Sequence, residues 1–159
     1  MYKQIIIARR DLNMTPGKFA AQVAHGSMAF LTNLIRNCNF TNPVAETINN
    51  PWDANLSDFD KVIGYRFNYL FDKELYEQWI DGEFTKCVLQ AKNKNQLLKA
   101  KTMAEELGMK EGEDFWLIHD NCHTELEPEE DGKTLTVIGF KPMDSEIIDQ
   151  IGRKYHLYM

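Results

Sequence analysis

Three polar side chains, Lys18, Gln22 and His25, interrupt an otherwise small and apolar stretch, MTPGKFAAQVAHGSMAF at 14–30. At about 100° per residue they share one stripe of a helix with Ala29, while Phe19, Val23, Phe30 and Leu34 gather on the opposite side. An ordinary solvated face would mix Glu with Lys. An ammonium, an amide and an imidazole in a row mark a candidate site rather than a solvated face. A second stretch, HDNCHT at 119–124, offers Asp120 as a candidate base and Thr124 as a hydroxyl beside it. Two other chemistries compete there. His119, Asp120, Cys122 and His123 are all metal-capable, but no second cluster accompanies them, and alternate side chains at a strand end point apart. Cys122 with His25 would make a thiol nucleophile and its base, although nothing local specifies that pair. No glycine-rich phosphate loop of the dinucleotide or Walker type is present.

The elements that must position these residues follow from pattern. YKQIIIARR at 2–10 predicts a buried central strand, since its apolar centre is too continuous for a strand with one wet face. Thr15 can cap and Pro16 suits a first helical position, so a helix is expected from there to about Ile35. Further strands are expected at 86–92, 115–120 and 134–140, with helices at 74–82, 93–108 and over SEIIDQIG at 145–152. Between Asn37 and about Leu70 no period is evident. An elaborated loop is expected there, with YRFNYLF at 65–71 as a candidate added strand. The order predicts one α/β domain over 1–159 with helices on both faces of a mixed sheet, and an insertion at about 38–72. In such sheets ligand sites collect beyond the carboxyl ends of parallel strands and near helix N-termini. Lys18 lies in the first turn after the first strand and Asp120 closes the third. If those strands run the same way, both residues emerge on one rim.

Composition bounds the partners. The 159 residues are 43% hydrophobic and carry a net charge of -6, which argues against indiscriminate binding to a polyanion. The charge is uneven, however. Residues 1–37 hold five basic side chains against Asp11 alone, and 38–84 hold nine acids against three bases, so one side can still meet a polyanion. Three cysteines without paired spacing predict reduced thiols. With no long apolar run and no signal-like N-terminus, no membrane partner is expected and the location is expected to be cytoplasmic.

DLNMTPGKFAAQVAHGSMAF resembles the opening motif of the type II peptidyl-tRNA hydrolases, in which a strand leads into a G-K-x-A-A-Q-x-A-H helix. WIDGEFTKCVLQAK is similar to the family's W-x-x-x-G-x-x-K-x-V-L-x stretch, and LIHDNCHTELEPEEDGKTLTVIGFKP to its D-A-G-x-T-Q … T-x-x-x-I-G segment. The resemblance covers residues 1–37 and 73–159. It implies a three-layer α/β/α fold with a mixed, mainly parallel four-stranded sheet, often dimeric. It also implies hydrolysis of the ester between a peptide, or an N-blocked aminoacyl group, and the terminal ribose of tRNA. Carried over by position, Lys18, Asp120, Thr124 and Thr134 are the expected catalytic residues, and Gln22, His25 and Arg10 the expected substrate contacts, with no metal or cofactor required. This chain departs from the pattern in having Asn121-Cys122 for Ala-Gly, Glu125 for Gln, and an acidic loop, ELEPEED, beside the expected site. The alternatives are a noncatalytic tRNA- or protein-binding module on the same scaffold, or a hydrolase of another ester or amide.

Overall fold

Ile5, Ile6, Ile7 and Ala8 are all but completely buried, as a strand covered on both faces requires. They form the middle of β1 (Tyr2–Arg9), the central strand of a computed structural model that describes residues 1–37, 41–46, 61–67, 69–129 and 131–159. The chain continues through α1 (Pro16–Arg36), β2 (Thr41–Glu46), β3 (Lys61–Phe67) and α2 (Lys73–Leu75), which runs on into a π-helical stretch, Tyr76–Glu83. Then follow β4 (Lys86–Ala91), α3 (Lys94–Glu106), β5 (Phe115–Asp120), β6 (Thr134–Phe140), β7 (Met143–Asp144), α4 (Ser145–Gly152) and β8 (His156–Leu157).

The residues fall into two compact units, Met1–Asn33 with Phe71–Met159, and Leu34–Leu70. In the first, the sheet runs β5-β6-β1-β4-β8, with β7 pairing the start of β1. The sheet therefore has six strands rather than four, because β7 and β8 are two-residue strands too short to leave a pattern. It is also not mainly parallel. Only β1 and β4 run side by side in the same direction; every other pairing in this sheet is antiparallel. The cause is the connection from β5 to β6, which contains no helix to carry the chain across, so β6 returns antiparallel between β5 and β1. Being antiparallel to both neighbours, β6 leaves β5 pointing the way β1 does. The carboxyl ends of β1, β4 and β5 accordingly share one edge.

The expected α/β layering is present. Ile6, Ala8 and Val137 pack under Phe19 and Val23 of α1. On the other face Ile5, Ile7 and Leu89 meet Leu97, Ala100 and Ala104 of α3 and Ile148 and Ile151 of α4. Two glycines set how deeply α1 sits. A Cβ on Gly139 would lie 2.2 Å from the backbone oxygen of Gly26, and one on Gly26 would lie 2.8 Å from Val137 Cγ1. Helix and strand thus meet backbone to backbone, one turn beyond Gln22 and two beyond Lys18.

In the second unit β2 and β3 form an antiparallel pair with a register irregularity between Val44 and Ala45, in place of the expected elaborated loop. The strand expected at 65–71 ends at Phe67, while 38–40 and 47–60 of the insertion lie outside the described residues. The helix expected at 74–82 is α2 with its π-helical continuation. Gly82 is already non-helical there, and Phe84 ends the stretch in a left-handed conformation. No described helix is long and apolar enough to cross a membrane.

Candidate active site

The helix start is built as its sequence suggests. The backbone oxygen of Thr15 accepts the Phe19 N–H at 2.8 Å and Pro16 opens α1, so Lys18 falls in the first turn. Lys18 and Gln22, four residues apart, share a face and reach the same carboxylate. Lys18 Nζ lies 2.7 Å from Asp120 Oδ2, with the two side chains only 15% and 9% exposed. Gln22 Nε2 donates to the same Oδ2 at 2.7 Å, and Lys18 Nζ also donates to Thr124 Oγ1 at 3.0 Å. The other oxygen, Oδ1, accepts the Cys122 N–H at 2.8 Å. That bond requires the chain to turn back sharply, and Cys122 does so at a φ of 56°, the left-handed region.

Two opposing effects act on Asp120. Burial pushes its carboxyl upward, but the Lys18 and Cys122 hydrogen bonds, with the charges of Lys18 and His123, outweigh it and hold the group below the usual carboxylate range. Asp120 is therefore ionised at neutral pH. Its carboxylate has one acceptor direction to spare, since Oδ2 is taken twice and Oδ1 once. Lys18 has three hydrogens, two of them directed at Asp120 and Thr124.

The other expected residues stand differently. Gln22 is 3% exposed, so the helix stripe is exposed at His25, half-buried at Lys18 and dry at Gln22, whose Oε1 accepts the Thr136 hydroxyl at 2.6 Å. Thr134 is fully buried. Its hydroxyl donates to Glu127 O at 2.6 Å, accepts the Glu129 N–H at 3.2 Å, and lies 3.4 Å from Cys122 Sγ, so it clamps the loop that follows Asp120. His25 is exposed about two turns along α1, and Arg10 is exposed with NH1 3.4 Å from Gln90 Oε1. The structure thus brings Lys18, Gln22, Asp120 and Thr124 into one hydrogen-bonded group and leaves Arg10 and His25 outside it. No set of three or more metal-capable side chains exists among the described residues. The Cys122 thiol is turned to Asp120 O and Thr134 rather than to His25.

Sequence reasoning passed over Arg9 and Thr136. Arg9 is the buried member of the Arg9-Arg10 pair. It holds Asp11 through Nε and NH2, at 3.1 and 2.7 Å, and Glu129 and Leu135 O through NH1, at 2.7 and 2.9 Å. The end of β1 and its paired register were the signal available for it. Thr136 left none, because a register shift between Ile118 and His119 breaks the strict alternation on which a facing argument depends. The acidic loop is also partly neutralised. Glu125 accepts the N–H and hydroxyl of Thr15 at the start of α1, and Glu129 is held by Arg9 and Lys94.

Comparison with known sequences places the chain in a family. The family model described as peptidyl-tRNA hydrolase PTH2 matches residues 2–158. A protein of Methanopyrus kandleri named peptidyl-tRNA hydrolase is 32% identical over 152 residues, covering 95% of this chain and 93% of its own. One of the same name from Thermoplasma acidophilum is 26% identical over 98% of this chain and 97% of its own, and another from Saccharolobus islandicus is 27% identical over 95% and 94%. With a match that runs nearly end to end and covers every residue of the Lys18–Asp120 group, this chain belongs to the PTH2 peptidyl-tRNA hydrolase family.

Proposed function

We propose that this chain hydrolyses the ester joining a peptide, or an N-blocked aminoacyl group, to the terminal ribose of tRNA, with a water activated between Asp120 and Lys18. The observation that carries the reading is the 2.7 Å contact of Lys18 Nζ with Asp120 Oδ2 at the edge where β1 and β5 end. A water bound at the spare position on Asp120 Oδ1 has a base for its proton. As its oxygen bonds to the ester carbon, negative charge builds on the carbonyl oxygen, and the third hydrogen of Lys18 is the donor available to it. When the carbon–oxygen bond to the ribose breaks, the proton held by Asp120 goes to the leaving ribose oxygen. Free tRNA and a peptide carboxylic acid result, and the acid gives up its remaining water-derived proton to solvent to become the carboxylate. Thr124 keeps the ammonium in place, and Thr134 shapes the loop rather than touching the reacting atoms. Arg10, exposed just past the end of β1, and His25, exposed about two turns along α1, are assigned to the substrate's anionic backbone. Because the substrate belongs to translation, the protein is assigned to the cytoplasm.

The test is release of peptide from peptidyl-tRNA, with and without chelator. Lys18→Ala and Asp120→Asn are each expected to slow release by on the order of a thousandfold while leaving the circular dichroism spectrum and melting cooperativity unchanged, and chelation is expected to have no effect. Release at the parental rate by both variants would overturn the assignment.

A further inference from the structure

The Gln22 amide is buried between two groups that determine which way round it lies. Its Nε2 faces Asp120 Oδ2 at 2.7 Å and its Oε1 receives the Thr136 hydroxyl at 2.6 Å. Thr136 is fully buried, and its Oγ1 also lies 3.1 Å from the backbone oxygen of Ile118. A hydroxyl has one hydrogen, so it serves only one of these acceptors at a time. The fold gives Thr136 this position through a bulge. His119 pairs with Leu135 and Ile118 with Val137, leaving Thr136 unopposed. Bulges re-aim side chains, and here the consecutive residues Thr136 and Val137 both meet α1, at Gln22 and beside Gly26.

We propose that Thr136 is a positioning residue for the hydrolysis: by donating to Gln22 Oε1 it fixes the amide with Nε2 on Asp120 Oδ2, which keeps the carboxylate charged and leaves Oδ1 to take the proton of the attacking water. The inference rests on Asp120 being the base. While Asp120 is charged, Thr136 donates to Gln22 Oε1 and Gln22 Nε2 donates to Asp120. The water's proton arrives at Oδ1, so Oδ2 keeps the hydrogens of Gln22 and Lys18 in both states. Lys18 from α1 and His123 from the following loop are the charged or titratable groups facing Asp120, and both remain unchanged in the variants below.

Thr136→Val removes the hydroxyl at nearly the same volume, leaves Gln22 Oε1 without a donor, and frees the amide to turn its carbonyl on Asp120. Two readouts are needed. One is the titration of the Asp120 carboxyl carbon followed by NMR in labelled protein; the other is the pH profile of kcat/KM for peptidyl-tRNA. Thr136→Val is expected to move the Asp120 midpoint upward, carry the acid limb of the profile with it, and lower kcat about tenfold with KM unchanged, while Thr136→Ser restores all three. Gln22→Met should move the midpoint upward at least as far, and adding Thr136→Val to it should move it no further. A uniform loss of rate with an unmoved midpoint, no rescue by serine, or additive shifts in the double variant would overturn the proposal. If Asp120→Asn is fully active, the base assignment fails instead, and the NMR midpoint still reads the coupling of Thr136 to Asp120.

Discussion

Two cation–carboxylate pairs lie at the same edge of the sheet, on opposite faces, and do different work with the same interaction. On the α1 face Lys18 meets Asp120 at 2.7 Å; on the α3 face Arg9 meets Glu129 at 2.7 Å. Arg9 is closed in. Its guanidinium is divided between Asp11, Glu129 and Leu135 O, and Glu129 is held a second time by Lys94 at 3.1 Å. Burial raises the Glu129 carboxyl, but the Arg9 and Lys94 contacts more than reverse this, much as at Asp120. Charge state does not distinguish the pairs. What differs is geometry: a planar five-donor fork enclosed by fixed acceptors serves as a rivet, whereas a lysine with a hydrogen in reserve beside a carboxylate with an acceptor in reserve can receive a substrate.

The contrast predicts where each pair registers when broken. Lys18→Met, Asp120→Asn and the double variant are each expected to lower kcat/KM by on the order of a thousandfold, with the double no worse than the worse single, because the two groups act as a unit. Multiplicative losses would mean independent roles. Arg9→Met takes the guanidinium from Asp11 and Leu135 O and leaves Glu129 to Lys94 alone, and is expected to cost about 3 kcal/mol in urea unfolding. The rate per folded molecule should fall far less. A rate loss as large as that of Lys18→Met, at unchanged stability, would erase the distinction.

The sequence made Lys18 and Asp120 legible because both sit at element ends that pattern identifies well, a proline-led helix start and the close of a β-branched run. Helix spacing also linked Gln22 to Lys18, but could not show that the stripe is dry in the middle, since that depends on how closely Gly26 and Gly139 let α1 approach β6. Likewise the choice between Arg9 and Arg10 turns on which of two adjacent side chains the register buries. Thr136 was beyond reach, because a single bulge residue inverts any facing inferred from alternation. The direction of β6 was in principle readable: a connection from 121 to 133 with no helical period returns antiparallel. The hairpin of β2 and β3 was not, as its own stretch has no alternation to mark it.

pH separates the two faces again, by a smaller margin. Both Asp120 and Glu129 have folded-state values below the ordinary range, so each contributes stability at neutral pH that is lost as the pH falls through its folded value. Glu129→Gln should therefore flatten the acid side of the stability curve while leaving the acid limb of kcat/KM in place. Under the proposed mechanism that limb is expected to follow Asp120, since protonation removes the base. An acid limb that moves with Glu129→Gln would show that the α3 face also feeds the reaction.

The smallest expected effect concerns the turn that serves Asp120. Cys122 carries a side chain at a φ of 56°, where a Cβ crowds the backbone and glycine does not, yet it must adopt this conformation to place its N–H on Asp120 Oδ1. The resemblance to the type II hydrolases puts glycine at this position. Cys122→Gly removes the crowding but adds freedom to the unfolded chain and deletes the thiol's contacts with Asp120 O and Thr134. Relief of the left-handed strain, about 1 kcal/mol, should slightly exceed the added entropy, giving a gain of about 0.5 kcal/mol in urea unfolding. Cys122→Ala keeps the strained backbone and loses the thiol, so it should be no more stable than the parent. If alanine stabilises as much as glycine, the cost at residue 122 comes from the sulfur's surroundings and not from the backbone that aims its N–H at the carboxylate.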